Sequence, residues 1–275
     1  MVRGDNEEET GFFIDSHCHL APFWFNHKPV ETALKDAKEA NIIAVINAAV
    51  GAQDKEKSLI DYDYSIELSQ KNQGYVFCTL GLSPSMIKNL DLDYCLKHIK
   101  ELVEEKPVGV VGIGEIGLDR HWVVESSWQK QQLEVFIQLI SFGAETGLPL
   151  VIHSRKAESL VLDVLEKNAE TDVVLHCFSG SVELGRRAVD NGYFVSIPTA
   201  VVNRKKHKKL AKILPLENLV VETDAPWLSP VEKEKNEPAF ISYAVEEIAK
   251  INEYKVKEVS KVTTKNAIRI FSLPL

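Results

Sequence analysis

No stretch of this 275-residue chain stays apolar long enough to cross a bilayer, which excludes a membrane-spanning helix, and no membrane partner is expected. Linkers, low-complexity tracts and short-period repeats are absent as well, so one continuous domain is expected. Cysteine is scarce. Cys18, Cys78, Cys95 and Cys177 are the whole set, and three of them fall at apparent strands, where a reduced, buried thiol is expected. Positive charge is in deficit: 32 Lys and Arg against 40 Asp and Glu leave a net charge of −8. That balance argues against non-specific coating of nucleic acid but leaves room for a local basic patch meeting one strand end. The opening residues Met1–Thr10 lack an apolar segment and carry Asp5, Glu7, Glu8 and Glu9, so no secretory signal is expected there. The expectation is a cytoplasmic protein, with the nucleus as the alternative compartment. It comprises a disordered acidic tail over residues 1–11 and a folded part over 12–275.

What is present is a recurrence of strand and amphipathic helix, at intervals of roughly 30 residues. Strands are expected at Phe12–Asp15, Ile42–Ala48, Tyr75–Leu80, Gly109–Ile113, Leu150–His153, Val173–His176, Tyr193–Ile197 and Leu219–Glu222. Their Val and Ile runs are nearly continuous, as in strands covered on both faces. Helical patterns lie between them, as at Glu31–Ala40, Trp128–Thr146 and Ala157–Asn168. Ser126 or Ser127 offers an N-cap for the second, and Gly147-Leu148-Pro149 stops it. Eight such units close into an α/β fold of the (β/α)8, or TIM, barrel type, which suits a chain of this length. An open doubly wound sheet is the alternative, disfavoured by the even spacing. Lys255–Phe271 reads as one or two extra C-terminal helices packed outside the barrel.

Six metal-capable side chains punctuate this pattern, each at the end of a short apolar run: His17, His19, Glu115, His153, His176 and Asp224. Chemistry in such barrels sits at the C-terminal ends of the strands, and all six fall there. Alternation along a strand turns His17 and His19 to one side and Cys18 to the other, so both rings can grip one cation. Taken singly, His153 or His176 reads as a satisfied core histidine, and Asp224 as a turn or helix-capping acid. Together, four imidazoles and two acids on one rim would be costly to bury without a cation. Imidazole and carboxylate suit borderline divalent ions, and the set matches a two-metal hydrolase with Glu115 as the bridging acid. Asp224 can also take a proton from a water that a cation acidifies. Mg²⁺, Mn²⁺ and Zn²⁺ all remain open: four imidazoles favour the softer ions, cellular abundance favours Mg²⁺. His27, His98, His121 and His207 lie in loops or on helices and need no role, although His121 stands near the rim.

Glu115 lies inside Gly112–Gly117, a formal match to the dinucleotide fingerprint G-x-G-x-x-G. Two facts reject it. A carboxylate in that loop would repel a pyrophosphate, and no helix begins until near Ser126. The glycines are expected instead to let the backbone turn sharply at Glu115.

The segments Ile14-Asp15-Ser16-His17-Cys18-His19, Gly114-Glu115-Ile116-Gly117-Leu118-Asp119, Ile152-His153-Ser154-Arg155, His176-Cys177-Phe178-Ser179-Gly180 and Glu222-Thr223-Asp224-Ala225-Pro226 form a specific combination. With Asn236-Glu237-Pro238 and Thr264-Lys265-Asn266-Ala267, they make the chain resemble the TatD family of metal-dependent deoxyribonucleases, in the amidohydrolase superfamily. The resemblance covers almost the whole length. It implies a (β/α)8 barrel holding two divalent metal ions and hydrolysing phosphodiester bonds of DNA, with 3′–5′ exonuclease action as one form. It further implies that His17 and His19 bind one metal, that Glu115 bridges, and that His153 and His176 bind the second. Asp224 then completes the first metal and handles the proton, so Asp224 and Glu115 are the catalytic acids. The chain departs from the family at Ser83, where relatives commonly carry histidine, and the departure bears on substrate contact, not on the six ligands. No lysine occurs in Val110–Asp119, where many amidohydrolase relatives that cut amides or triesters place a modified lysine. By analogy this favours the nuclease branch.

A nucleic-acid substrate needs phosphate contacts and stacking surfaces. Arg155, close after His153, is placed for bidentate contact with a phosphate. The basic run Arg204–Lys209, with Lys205 near its start, is either a solvated helix face or a guide for phosphates. Trp24 and Trp122 are the candidate stacking residues for a single strand, whereas Phe178 and Trp227 are explained at least as well by packing. A monomer is expected. Two rival readings stay open: an ester or amide hydrolase such as an aminoacyl-tRNA deacylase, and an inactive nucleic-acid-binding barrel.

Overall fold

The computed structural model describes residues 11–51, 54–88, 90–105 and 108–275, so the expected acidic tail, Gly11 apart, lies outside the described residues. Eight parallel strands follow one another around one sheet, each hydrogen-bonded to the next. They are β1 (Phe13–Cys18), β2 (Ile42–Ala49), β3 (Val76–Leu80), β4 (Val110–Asp119), β5 (Leu150–Arg155), β6 (Val173–Leu175), β7 (Phe194–Pro198) and β8 (Leu219–Glu222). The helices between them are α1 (Val30–Glu39), α2 (Lys55–Lys71), α3 (Leu92–Glu104), α4 (Ser126–Thr146), α5 (Glu158–Asn168), α6 (Val182–Asp190) and α7 (Lys205–Ile213). Two more, α8 (Ser242–Asn252) and α9 (Val256–Ile270), follow β8. The sequential strand order is that of the expected (β/α)8 barrel, not of a doubly wound sheet.

Each helix turns an apolar stripe inward, as Val30, Ala33, Leu34 and Ala37 do in α1 and Cys95, Leu96, Ile99 and Val103 in α3. Helix α4 begins at Ser126 itself, with Glu125 at the N-cap and no side-chain cap bond; Glu125 pairs with Lys88 at 2.7 Å instead. Gly147 ends α4 in the left-handed conformation (φ 70°) that suits glycine.

Alternation divides the strands between two cores. Phe13, Val45, Cys78, Val173, Val195 and Leu219 join the larger cluster that includes the helix stripes. Ile14, Ile46, Phe77, Val151, Val174, Phe194 and Val220 fill the barrel. The C-terminal segment departs from its expected place outside. Helix α9 lies against β1 and β8, and Ala267, Ile270, Phe271 and Leu273 join the interior cluster, plugging the end at which the strands begin. Burial of these apolar residues decides the matter, and Ser260 and Thr264 hydroxyls fasten the helix by donating to Phe12 O.

The ring closes between β8 and β1 at the opposite end. Asp224 N–H donates to His17 O (2.9 Å) and His19 N–H to Ala225 O (2.7 Å). The buried Asp15 carboxylate accepts from both the backbone N–H (2.8 Å) and the hydroxyl (2.5 Å) of Thr223. Among the described residues no helix is long and apolar enough to cross a membrane.

Candidate metal centre

The site is the polar layer on top of the apolar barrel filling. A step of two along a strand returns to the same face, so Val151 is followed inward by His153, Val174 by His176 and Val220 by Glu222. Glu115 arrives differently. In the pairing of β4 with β5, Gly114 lies opposite Val151 and Ile116 opposite Ile152, so Glu115 is the extra residue of a β-bulge. Such a bulge re-aims a side chain without ending the strand. The glycine-rich run therefore stays in β4, and the backbone change expected at Glu115 takes the form of this bulge. Its glycines serve close approach: a Cβ on Gly117 would lie 2.1 Å from His153 O, and one on Gly81 of β3's following loop 2.4 Å from the Gly114 carbonyl carbon.

All six expected ligands converge. His17 Nε2 and His19 Nε2 are 3.1 Å apart, and Glu115 Oε2 stands 3.6 Å from the first and 3.9 Å from the second. Asp224 Oδ1 is 3.4 Å from His19 Nε2 and 3.9 Å from His176 Nε2. The other oxygen of Glu115, Oε1, lies 2.9 Å from His153 Nδ1. The His17 and His176 rings stack at 3.8 Å, and the donor atoms of His17, Glu115 and His176, like those of His17, His19 and Asp224, lie within 4.8 Å of one another.

Which nitrogen each ring offers is fixed from behind. A carbonyl or carboxylate oxygen only accepts, so His19 Nδ1–H donates to Ala48 O (3.1 Å), His153 Nε2–H to Asp119 Oδ2 (3.0 Å) and His176 Nδ1–H to Glu222 Oε2 (3.0 Å). The remaining nitrogen of each ring faces the cavity, toward Asp224 for His19 and His176 and toward Glu115 for His153, and in the neutral ring it offers a lone pair to a cation. This carboxylate–histidine arrangement is what metal-ligating imidazoles use. The residues present fit divalent cations: four imidazoles and two carboxylates crowd one cavity, and a cation there would take the place of the protons that His153 and His176 hold toward Glu115 and Asp224. Asp119 and Glu222 went unassigned in the sequence because their partners come from other strands. Inward-facing acids beside ligand positions are the signal that points to them. Ser83, expected to bear on substrate contact, donates its hydroxyl to Glu115 Oε1 at 3.0 Å and so steadies that carboxylate.

The electrostatics follow from burial and from these pairs. Burial, with the charge of His176, pulls His17 down to about 3. Burial also opposes charge on His153 and His176, but Glu115 and Asp119 raise the first to about 9 and Glu222 the second to about 10. Glu115 is held well below the usual carboxylate range because His153 and His17 outweigh its burial. Asp15 goes the other way, up to about 8, since its burial outweighs the Thr223 bonds.

Around the mouth, Trp227 meets the His19 ring edge-on at 4.9 Å and Trp24 packs on Trp227 at 5.6 Å. Trp122 is 60% exposed, its loop fixed by Asp119 Oδ1, which accepts from the N–H of His121 and Trp122 at 2.7 Å each. The Arg155 guanidinium lies 5.3 Å from the Trp122 ring centroid. Phe178 is fully buried, a packing residue. A cavity of about 360 Å³ brings Trp24, Trp122, Arg155 and Trp227 to the ligands. Lys205 is exposed and does not line it; Arg204 and His207 reach a second cavity adjoining His153, His176 and Asp224.

A family model described as TatD related DNase matches residues 14–272. Deoxyribonuclease TATDN3 of Homo sapiens is 32% identical, covering 94% of this chain and 94% of its own. The uncharacterized metal-dependent hydrolase YabD of Bacillus subtilis is 34% identical over 94% of this chain and 99% of its own. Among solved structures, YJJV, a TatD homolog of Escherichia coli, matches 95% of this chain and 98% of its own with a TM-score of 0.83. At 24% identity that likeness speaks to the fold alone.

Proposed function

The chain belongs to the TatD family of metal-dependent hydrolases acting on ester bonds, and from that premise we propose that it hydrolyses phosphodiester bonds of DNA at a two-metal centre, acting on single strands in the 3′–5′ direction. The observation that carries the reading is the fixing of three imidazoles from behind, which points their other nitrogens at the carboxylates of Glu115 and Asp224. His17, His19 and Asp224 would hold one ion, His153 and His176 the other, with Glu115 spanning both. Bound divalent cations supply Lewis acidity to phosphoryl oxygens and bring the pKa of a water toward neutrality. Asp224, partly buried at the cavity and hydrogen-bonded through its backbone to β1, is positioned to take the proton of the attacking water.

Arg155 reaches the same cavity and meets a phosphate of the strand with paired N–H donors. Trp122 and Trp24 offer ring faces or edges on which bases stack, and Lys205 attracts the backbone from farther out. All candidate ligands come from one chain, which supports a monomer as the working unit. Chelator-treated protein reloaded with Mg²⁺, Mn²⁺ or Zn²⁺ tests the reading on labelled single-stranded DNA and on acylated tRNA. Strand cleavage with intact acyl-tRNA supports it; deacylation without strand cleavage replaces it with a carbonyl hydrolase.

A further inference from the structure

The first turn of α7 is charged against its own dipole. A helix N-terminus carries partial positive charge and favours acids. This one has Arg204 at the N-cap, then Lys205 and Lys206, with no acid in the first turn and no side-chain cap bond. A bound anion would reverse that conflict, since free backbone N–H groups and the dipole both attract negative charge.

Beside this turn lies a cavity of about 210 Å³. Its lining includes the candidate ligands His153, His176 and Asp224 together with Arg155, Arg204 and His207. His207 is only 1% exposed, and among the described residues neither of its ring nitrogens makes a hydrogen bond of good geometry, although the Cys177 backbone lies close by. Ser154 Oγ lines the same space and is also buried without a partner. A buried polar group left unpaired costs about 1–3 kcal/mol, so such a group marks a place where a partner is due. Among the described residues neither arginine has an ion-pair partner, although the Arg155 guanidinium rests near the Trp122 ring. At roughly 30 Å³ per water the cavity has room for a phosphate and part of its hydration.

We propose that this cavity is a receptor for a phosphomonoester at the end of a nucleic-acid strand, seated next to the bond being cut. The inference rests on the nuclease reading and deepens it: the enzyme prefers strand ends that carry a phosphate. Two guanidinium groups and a helix N-terminus match the second negative charge of a monoester, which a phosphate inside a strand lacks.

The test uses the metal-loaded full chain on single-stranded oligonucleotides bearing a 5′-phosphate, a 3′-phosphate or hydroxyls at both ends. Wild type is expected to show kcat/KM about tenfold higher on the 3′-phosphorylated strand, the end at which 3′–5′ cutting begins, whereas a preference for the 5′-phosphate would overturn that direction. In Arg204→Gln and His207→Gln that ratio falls toward one. In parallel, inorganic phosphate titrated into the metal-free protein binds wild type, and about tenfold more weakly binds Arg204→Gln. Melting curves check folding, and because Arg204 is exposed its variant remains informative if His207→Gln does not fold. Equal rates on all ends in wild type, or a preference that survives in Arg204→Gln, overturns the inference while leaving the nuclease reading intact. Phosphate binding that depends on Arg204, with no strand cleaved, keeps the anion site and defeats the nuclease reading instead.

Discussion

His176 donates its Nδ1–H to Glu222 Oε2 at 3.0 Å, and the same ring turns Nε2 toward Asp224 Oδ1 at 3.9 Å. A buried acid that touches no substrate thereby decides which nitrogen faces the cavity. Glu222→Gln should weaken divalent-metal affinity by about 10-fold to 100-fold, read by calorimetric titration, with an unchanged far-UV spectrum. Asp119→Asn, acting on His153, should do the same. Wild-type affinity in both variants would remove these acids from the account.

Asp224 and Glu115 divide the work differently. Asp224→Asn should lower kcat by about 10²–10⁴ while largely retaining metal, since the amide cannot take a proton. Glu115→Ala should instead lose the second cation from the binding isotherm. Full turnover in the Asp224 variant would end its role as base.

Arg155 and Trp122 are coupled, the guanidinium lying 5.3 Å from the ring centroid. Trp122→Ala should raise KM for single-stranded DNA about tenfold, the loss of one stacked base. The double variant with Arg155→Ala should fall short of the product of the single effects, by a coupling of about 0.5–1 kcal/mol. Strict additivity would mean that the two residues act on separate parts of the strand.

Asp61 sits beneath the loop after β2, where its Oδ2 accepts from Val50 and Gly51 N–H at 2.8 and 3.1 Å. Burial outweighs those bonds and raises its carboxyl to about 6. A raised acid favours the folded state in its protonated form, so its contribution is complete below about 3.8 and is lost as pH rises through 6. Wild type should therefore gain about 1–3 kcal/mol on Asp61→Asn as pH falls from 8 to 4, in paired denaturant titrations. A pH-independent difference between the two proteins would contradict this.

Much of this was legible in the sequence, for reasons the coordinates make concrete. Val173–Leu175 and Leu219–Glu222 are apolar because strands in a barrel are covered on both faces, so they could be read directly. The candidate ligands were visible because each ends such a run, where barrel geometry places chemistry. Glu115 was placed at the right rim, but its position at a bulge depends on pairing between β4 and β5, which no local pattern displays. Asp119, Glu222 and Asp15 bond to side chains or backbone as many as 208 residues away, so their roles appear only once the ring closes. His207 seemed an ordinary helical residue until α7 turned it onto a cavity. Leu273 likewise revealed its place in the plug only through the strands it covers.

One titration tests the central claim most directly: Mn²⁺ added to chelator-treated protein, with bound metal and cleavage of single-stranded DNA followed together. The account predicts two cations per chain, with cleavage absent at the start and restored as the sites fill. Protein that binds no cation, or that cuts DNA at full rate in the presence of chelator, would contradict it.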